Sequence, residues 1–452
     1  MSRELLDRIE EHGARTALIE SSREYSYAEL AARAQSTSQT LHDNGIGPQD
    51  AVVLQGRFGI TSIACLLALH ARGNIVAPVT EPTALARASL EENCRPSHWI
   101  DAREGLAIER LARSADPERP LLARLRQQGS AGLILLSSGT TSQPKVILHD
   151  LSRIVDSKLA SGRKGGRLSI VLFLLFDHIG GINTLLGSLI AGNTAVAIRD
   201  HGPDEVCSLV QRHKVRVLPT SPTFLNLLLV GGYPSRYDLS SLKLITYGTE
   251  PMPEALLGRV RAALPGARLL QTFGTSETGI SGTTSESSRS TYFKIEDDQF
   301  EHRIVDGELY LRSRTQFLGY LSQKTENVTE DGWFKTGDLV EIGSDGYMRI
   351  KGRVSDTINV GGEKVLPMEV ESVLLSSPLI ADCVVYGEPN ALTGQHVCAE
   401  VRPRAPMPPA ALRSHVREFL GERLDPYKVP ARVKAVDEIR YSERFKKLRR
   451  QA

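Results

Sequence analysis

Apolar residues in this chain fall into short runs separated by stretches of helical spacing. Ala51-Val52-Val53-Leu54 and Asn74-Ile75-Val76-Ala77 read as strands, and residues 60–72 between them read as a helix. The alternation recurs at residues 194–198, 215–218 and 242–247, each beside a helical pattern. Near-continuous apolar strands alternating with helices predict parallel sheets covered by helices, so the chain up to Ile350 is expected to be α/β. Residues 168–176 are mostly apolar but far short of the roughly 20 residues of a membrane-spanning helix, and they predict a buried parallel strand. Residues 282–291, rich in Ser and Thr, read as a mobile surface loop.

From Gly307 the pattern changes. Short strands are expected at residues 308–312 and 331–334, with Ser344-Asp345-Gly346 turning the chain into a strand at 347–350. That β-rich module closes a large domain. The remaining residues, with strands at 383–386 and 397–401 and helices at 367–375 and 410–423, suffice for a small α+β domain. The expected division is 1–354 and 355–452, with a hinge at Ser355.

Composition narrows the functional classes. Lys plus Arg number 55 against 53 Asp plus Glu, too balanced for a nucleic-acid partner or an anionic membrane. The five cysteines lack CxxC spacing, which disfavours a disulfide framework or a zinc site and suits a reducing, cytoplasmic setting. The charged residues 1–9 carry no apolar core of the kind an export signal needs.

Candidate chemistry lies in a series of short motifs. Leu136-Ser137-Ser138-Gly139-Thr140-Thr141-Ser142-Gln143-Pro144-Lys145 follows a strand-like run and offers amides and hydroxyls that can wrap phosphates. It is not the GxxxxGK[ST] loop, because Pro144 stands at the second Gly and no Ser or Thr follows Lys145. A solvated Ser/Thr turn would read the same way in isolation. Further along come Tyr247-Gly248-Thr249-Glu250-Pro251, Gln271-Thr272-Phe273-Gly274-Thr275-Ser276-Glu277-Thr278, Gly332-Trp333-Phe334-Lys335-Thr336-Gly337-Asp338, Gly352-Arg353-Val354-Ser355-Asp356 and Gly361-Gly362-Glu363-Lys364-Val365.

In kind and order these motifs resemble those of the acyl-adenylate-forming superfamily of acyl-CoA synthetases, luciferases and peptide-synthetase adenylation domains. The resemblance runs from Tyr25 nearly to the C-terminus. The chain is short for that family, with the shortage expected in residues 81–128. The resemblance implies ATP and Mg²⁺ as cofactors. Ser138, Gly139, Thr140, Thr141 and Lys145 would bind phosphates, and Gly248, Thr249, Glu250 and Pro251 would lie against adenine with Phe273 and Gly274. Ser276 would contact the α-phosphate, Glu277 would hold the metal, Asp338 would take the ribose hydroxyls and Arg353 would sit near the nucleotide. The final segment aligns Lys446 with the family's catalytic lysine, but Arg440 replaces the usual Pro, Phe445 the usual Gly, and Lys447 is a neighbouring competitor. Without the upstream motifs, Arg444, Lys446, Lys447, Arg449 and Arg450 would read as a basic solvated tail.

For the acid, Phe176-Asp177-His178-Ile179-Gly180-Gly181-Ile182-Asn183 resembles the Phe-His-x-x-Gly segment of acyl-CoA synthetases. His178, Ile179 and Asn183 would then face the acyl group. Ile179 falls where amino-acid adenylating domains carry the Asp that pairs the α-amine. A buried ammonium opposite Ile would be unpaired, so an α-amino acid is disfavoured unless a one-residue slip brings Asp177 into place. The implied acceptor is a thiol, either coenzyme A or the phosphopantetheine of an acyl carrier protein, with an amine as the alternative. A nucleotide-binding regulator with reduced catalysis is the reading from another class, and Phe445 is its best support.

Overall fold

The computed structural model describes residues 4–112, 117–137, 144–161, 167–442 and 445–449. One seven-stranded sheet runs in the order Arg268–Gln271, Leu244–Tyr247, Val217–Thr220, Ser169–Val171, Thr194–Val196, Thr16–Glu20, Arg23–Ser26. Every neighbouring pair is parallel except the last, a hairpin at the edge. A second seven-stranded sheet has parallel Gly132–Ser137, Ile75–Val79, Ala51–Gln55 and His98–Asp101 at its centre. Antiparallel strands Lys145–Asp150 and Ala107–Arg110 flank that centre. The sheets are therefore mixed rather than purely parallel. Burial explains the difference: Ile75–Val79 is buried at every position, whereas the edge strand Ala107–Arg110 is mostly exposed.

Helices Tyr27–Asp43, Ile60–Ala71 and Ile179–Ala191 share one apolar core with strands of both sheets, which places them between the two. Ile60–Ala71 is buried over most of its circumference, as a helix covered on two sides must be. Tyr27–Asp43 starts with a capping box, in which Ser26 Oγ accepts from the Glu29 amide and the Glu29 carboxylate accepts from the Ser26 amide at 2.7 Å. It then buries Tyr27, Leu30, Ala31, Ala34 and Leu41.

The β-rich module is a six-stranded antiparallel sheet. Residues 282–291 are only in part the expected loop, because Thr283–Ser285 is a strand paired with Phe293–Ile295. Ser285 Oγ accepts from the Gln271 amide and Ser288 Oγ from the Leu269 amide, so hydroxyls that looked solvent-bound satisfy backbone donors at a strand edge. The expected strand at 331–334 begins only at Phe334, after a turn at Gly332 with φ +85°. Residues from Ile358 onward build a five-stranded sheet with helices Pro367–Leu375 and Pro409–Gly421 and a core of their own. The molecule thus has a large α/β N-terminal domain and a small α+β C-terminal domain.

Candidate active site

Strands of the first sheet end at Thr220, Tyr247 and Gln271, and the turns after them open into a cavity of about 1810 Å³. Open α/β sheets present ligands at such strand ends. The small domain closes one side, contributing Pro367, Met368, Lys446, Lys447 and Arg449 to the wall.

The turn after Tyr247 is shaped by two constraints. A Cβ on Gly248 would come within 2.6 Å of Thr272 Oγ1 and 2.9 Å of Thr272 O, so only glycine fits. Thr249 holds φ +70°, a conformation that costs a β-branched residue about 1 kcal/mol or more. Its hydroxyl and that of Thr220 are buried in the cavity wall without a hydrogen-bond partner among the described residues. Such orphaned groups fit a polar ligand such as a nucleotide. Glu250 turns away to accept from the Thr223 amide at 2.6 Å, and burial pushes its carboxyl above the usual range. Gly274 is tighter still, since a Cβ there would meet Gly279 O at 2.2 Å.

Glu277 lies in the wall with one carboxylate oxygen accepting from the Tyr320 hydroxyl at 2.7 Å. Asn327 Nδ2 donates to that hydroxyl at 3.0 Å. Burial, helped by the adjacent Glu277 carboxylate, raises the Tyr320 pKa, so the hydroxyl stays protonated as a donor. Lys145 Nζ stands 5.3 Å from the Tyr320 ring centroid. On the other side of Glu277, the Ser276 carbonyl accepts from buried His149 Nε2 at 2.7 Å. Tyr320, Asn327 and His149 carry no sequence signal, because each acts through a neighbour brought close only by the fold.

Asp338 and Arg353 are cross-strand partners, joined by Arg353 Nε to Asp338 Oδ1 at 3.0 Å. Asp338 is 5% exposed and stands behind the wall, whereas Arg353 is part of it. Burial pushes the Asp338 carboxyl up, with Arg353 opposing, and that carboxylate in turn holds the guanidinium charged. Ser355 occupies the 3₁₀ turn Val354–Asp356 and also lines the cavity.

The two C-terminal lysines separate clearly. Lys447 Nζ donates to Asp382 Oδ1 at 2.7 Å and to the Cys383 carbonyl at 2.6 Å, inside the small domain. Burial works against its ammonium, yet Asp382 and Glu371 outweigh that and raise its pKa. Lys446 also belongs to the cavity wall, close enough to Asp338 and Glu250 for its charge to oppose the upward push that burial gives both carboxyls.

His178, Ile179 and Asn183 all line the cavity. His178 caps the helix Ile179–Ala191, its Nδ1 accepting from the Gly180 amide at 3.1 Å. Asp177 accepts from Thr80 Oγ1 at 3.1 Å and is not in the wall. The structure thus brings together Lys145, the turn 248–251, Phe273, Gly274, Ser276, Glu277, Arg353, Ser355, Lys446 and the His178 segment. Ser138, Gly139, Thr140 and Thr141 lie outside the described residues.

The profile of AMP-binding enzymes matches residues 5–321, and the profile of their C-terminal domain matches residues 369–446. The chain belongs to the AMP-binding enzyme family. Among curated relatives, triostin synthetase I of Streptomyces triostinicus is 30% identical, covering 96% of this chain and 90% of its own length. The indoleacetate–CoA ligase of Aromatoleum aromaticum is 27% identical over 96% and 95% of the two chains. Among solved structures, the anthranilate CoA ligase AuaEII in complex with anthranoyl-AMP superposes with a TM-score of 0.81 at 21% identity, covering 98% of this chain and 95% of that one. This member of the AMP-binding family is an ATP-using, adenylate-forming ligase. Among its described residues no helix is long and apolar enough to cross a membrane.

Proposed function

We propose that this protein activates a small carboxylic acid other than an α-amino acid as its acyl-adenylate and transfers the acyl group to a thiol, either coenzyme A or the phosphopantetheine of a carrier protein. The observation that carries this reading is one cavity, walled by both domains, that gathers Glu277, Arg353 and Lys446 around a turn with unpartnered hydroxyls. Ile179 in the wall, with Asp177 outside it, supports the exclusion of an α-amine. The family's CoA ligase relatives support the thiol.

In this reading the carboxylate oxygen bonds to the α-phosphorus while the bond to the pyrophosphate oxygen breaks. Lys446 supplies positive charge where negative charge is shared between the two reactants, and Ser276 steadies the α-phosphate. Glu277, positioned by Tyr320, would hold Mg²⁺, which neutralises phosphate charge when bound; a carboxylate suits that hard cation. The loop Ser138 to Thr141 and Lys145 would take the departing phosphates. Gly248, Thr249, Glu250, Pro251, Phe273 and Gly274 would frame adenine, with Asp338 and Arg353 at the ribose. His178, Ile179 and Asn183 would face the acyl group. We assign residues 1–354 and 355–452 to two domains that rotate about Ser355 between adenylation and transfer.

The test is an ATP–pyrophosphate exchange screen with aryl, aliphatic and α-amino acids, followed by coenzyme A, a loaded carrier protein and simple amines as acceptors. The expected result is exchange with a non-amino acid and a thioester product. Exchange confined to α-amino acids, or an amide as the sole product, overturns the substrate or the acceptor assignment respectively. No exchange with any acid would favour the regulator.

A further inference from the structure

We propose that Phe445 is a positioning residue that anchors the C-terminal strap in an aromatic slot of the large domain and thereby holds Lys446 in the cavity. The inference rests on the reading that Lys446 serves adenylation.

The backbone around Phe445 is the kind that selects glycine. The Phe445 amide donates to Ser442 O at 2.9 Å, and the Ser442 amide donates to Lys446 O at 2.8 Å. Tyr441 and Lys447 then pair as an antiparallel bridge. Phe445 closes this hairpin at φ +50°, the left-handed position that Gly ordinarily fills in such turns. A phenylalanine is strained there, so its side chain must supply a compensating gain.

The ring supplies it. Phe445 lies with its centroid 5.3 Å from Phe173 and 5.5 Å from Phe224, the latter at an interplanar angle of 83°. His201 borders the same slot at 6.3 Å. These separations lie within the range of favourable aromatic pairs. The slot walls are rigid, since Phe224 is fully buried and Phe173 is 3% exposed in the core of the first sheet. The Phe445 carbonyl also accepts from Ser221 Oγ, at 3.4 Å.

The rest of the strap is tied to the other body. Lys447 reaches Asp382 and the Cys383 carbonyl, the Tyr441 hydroxyl reaches Asp382, and Arg449 reaches Glu371 at 3.0 Å. Lys446 therefore sits between a small-domain attachment on one side and the Phe445 anchor in the large domain on the other. The anchor fixes where the ammonium points during adenylation. For the small domain to rotate away for transfer, the ring must leave its slot, so the same contact favours the adenylating arrangement.

The test compares Phe445→Gly, Phe445→Ala, Phe445→Tyr and Lys446→Ala in both half-reactions, with thermal melting of each. Glycine relieves the backbone strain, so Phe445→Gly should melt no lower than the wild type. Its kcat for pyrophosphate exchange should nevertheless fall on the order of tenfold to a hundredfold, the scale of a misplaced catalytic group. KM for ATP and for the acid should stay within about twofold. Phe445→Ala should match Phe445→Gly, Phe445→Tyr should recover most of the rate, and transfer from synthetic acyl-adenylate should be unchanged or faster in both ring-deleted variants. Adding Phe445→Gly to Lys446→Ala should cost nothing further. Wild-type exchange in Phe445→Gly beside an inactive Lys446→Ala overturns the anchor alone. Wild-type exchange in Lys446→Ala overturns the adenylation role of the lysine, and the anchor with it.

Discussion

Among the described residues Glu277 is held by a hydroxyl rather than by an ion pair, and this makes its role separable from folding. Tyr320→Phe removes the two hydrogen bonds of that hydroxyl, to Glu277 and from Asn327, each of about 1 kcal/mol, while keeping the ring in its core, so exchange should fall by roughly tenfold with a modest fall in Tm. Glu277→Gln should lower exchange by roughly a hundredfold or more at unchanged Tm, measured by calorimetry beside the exchange assay. Wild-type exchange in Glu277→Gln would remove the metal assignment. The lysines give the opposite contrast. Lys447→Ala would leave Asp382, 2% exposed on its side chain, without its ammonium partner, and should destabilise the fold by about 3 kcal/mol in urea titration. Lys446→Ala should leave that titration unchanged and abolish exchange. The sequence placed both lysines side by side and could not divide these roles, because only the fold turns one toward Asp382 and the other into the cavity.

Among the elements, the 3₁₀ turn Val354–Asp356 joins the last strand of the β-rich module to the small-domain sheet. A φ near −60°, usual in such a turn, accepts proline, so Ser355→Pro should fold and keep exchange near the wild-type rate. Rotation needs new torsions at this point, which proline denies. Acyl transfer from synthetic adenylate should therefore slow by on the order of tenfold or more. Equal loss in both half-reactions would argue against a pivot at Ser355. The strand Thr283–Ser285 teaches a related point about what local pattern can reveal. Its Ser/Thr-rich sequence reads as a loop, and it becomes a strand because Phe293–Ile295 lies beside it and Gln271 presents an amide that the Ser285 hydroxyl can satisfy. Helix Ile60–Ala71 and the central strands were legible because burial on two sides imposes a composition that survives in the sequence.

Across the molecule, stability should fall on mild acidification. Burial lowers His149 and His70 from 6.5 to about 4, so both stay neutral in the folded protein over a range where the unfolded chain takes up protons. Their contribution is complete above pH 6.5 and is lost as pH falls toward 4. At pH 5 each should have forfeited about 2 kcal/mol, visible as a lower urea midpoint than at pH 7.5. A midpoint unchanged between these pH values would contradict the buried neutral state. The sequence by itself determined the class of fold, the two-domain plan, the family and the order of its motifs. Those depend on local features: apolar runs fit for buried strands, short motifs of glycine and hydroxylated residues, and polar residues just past strand ends. Tertiary structure alone decided that Asp177 binds Thr80 while Ile179 faces the cavity, that Tyr320 steadies Glu277, and that a phenylalanine in a glycine position finds a slot between Phe173 and Phe224. Each of these depends on a distance between residues remote in sequence, and no local propensity encodes such a distance.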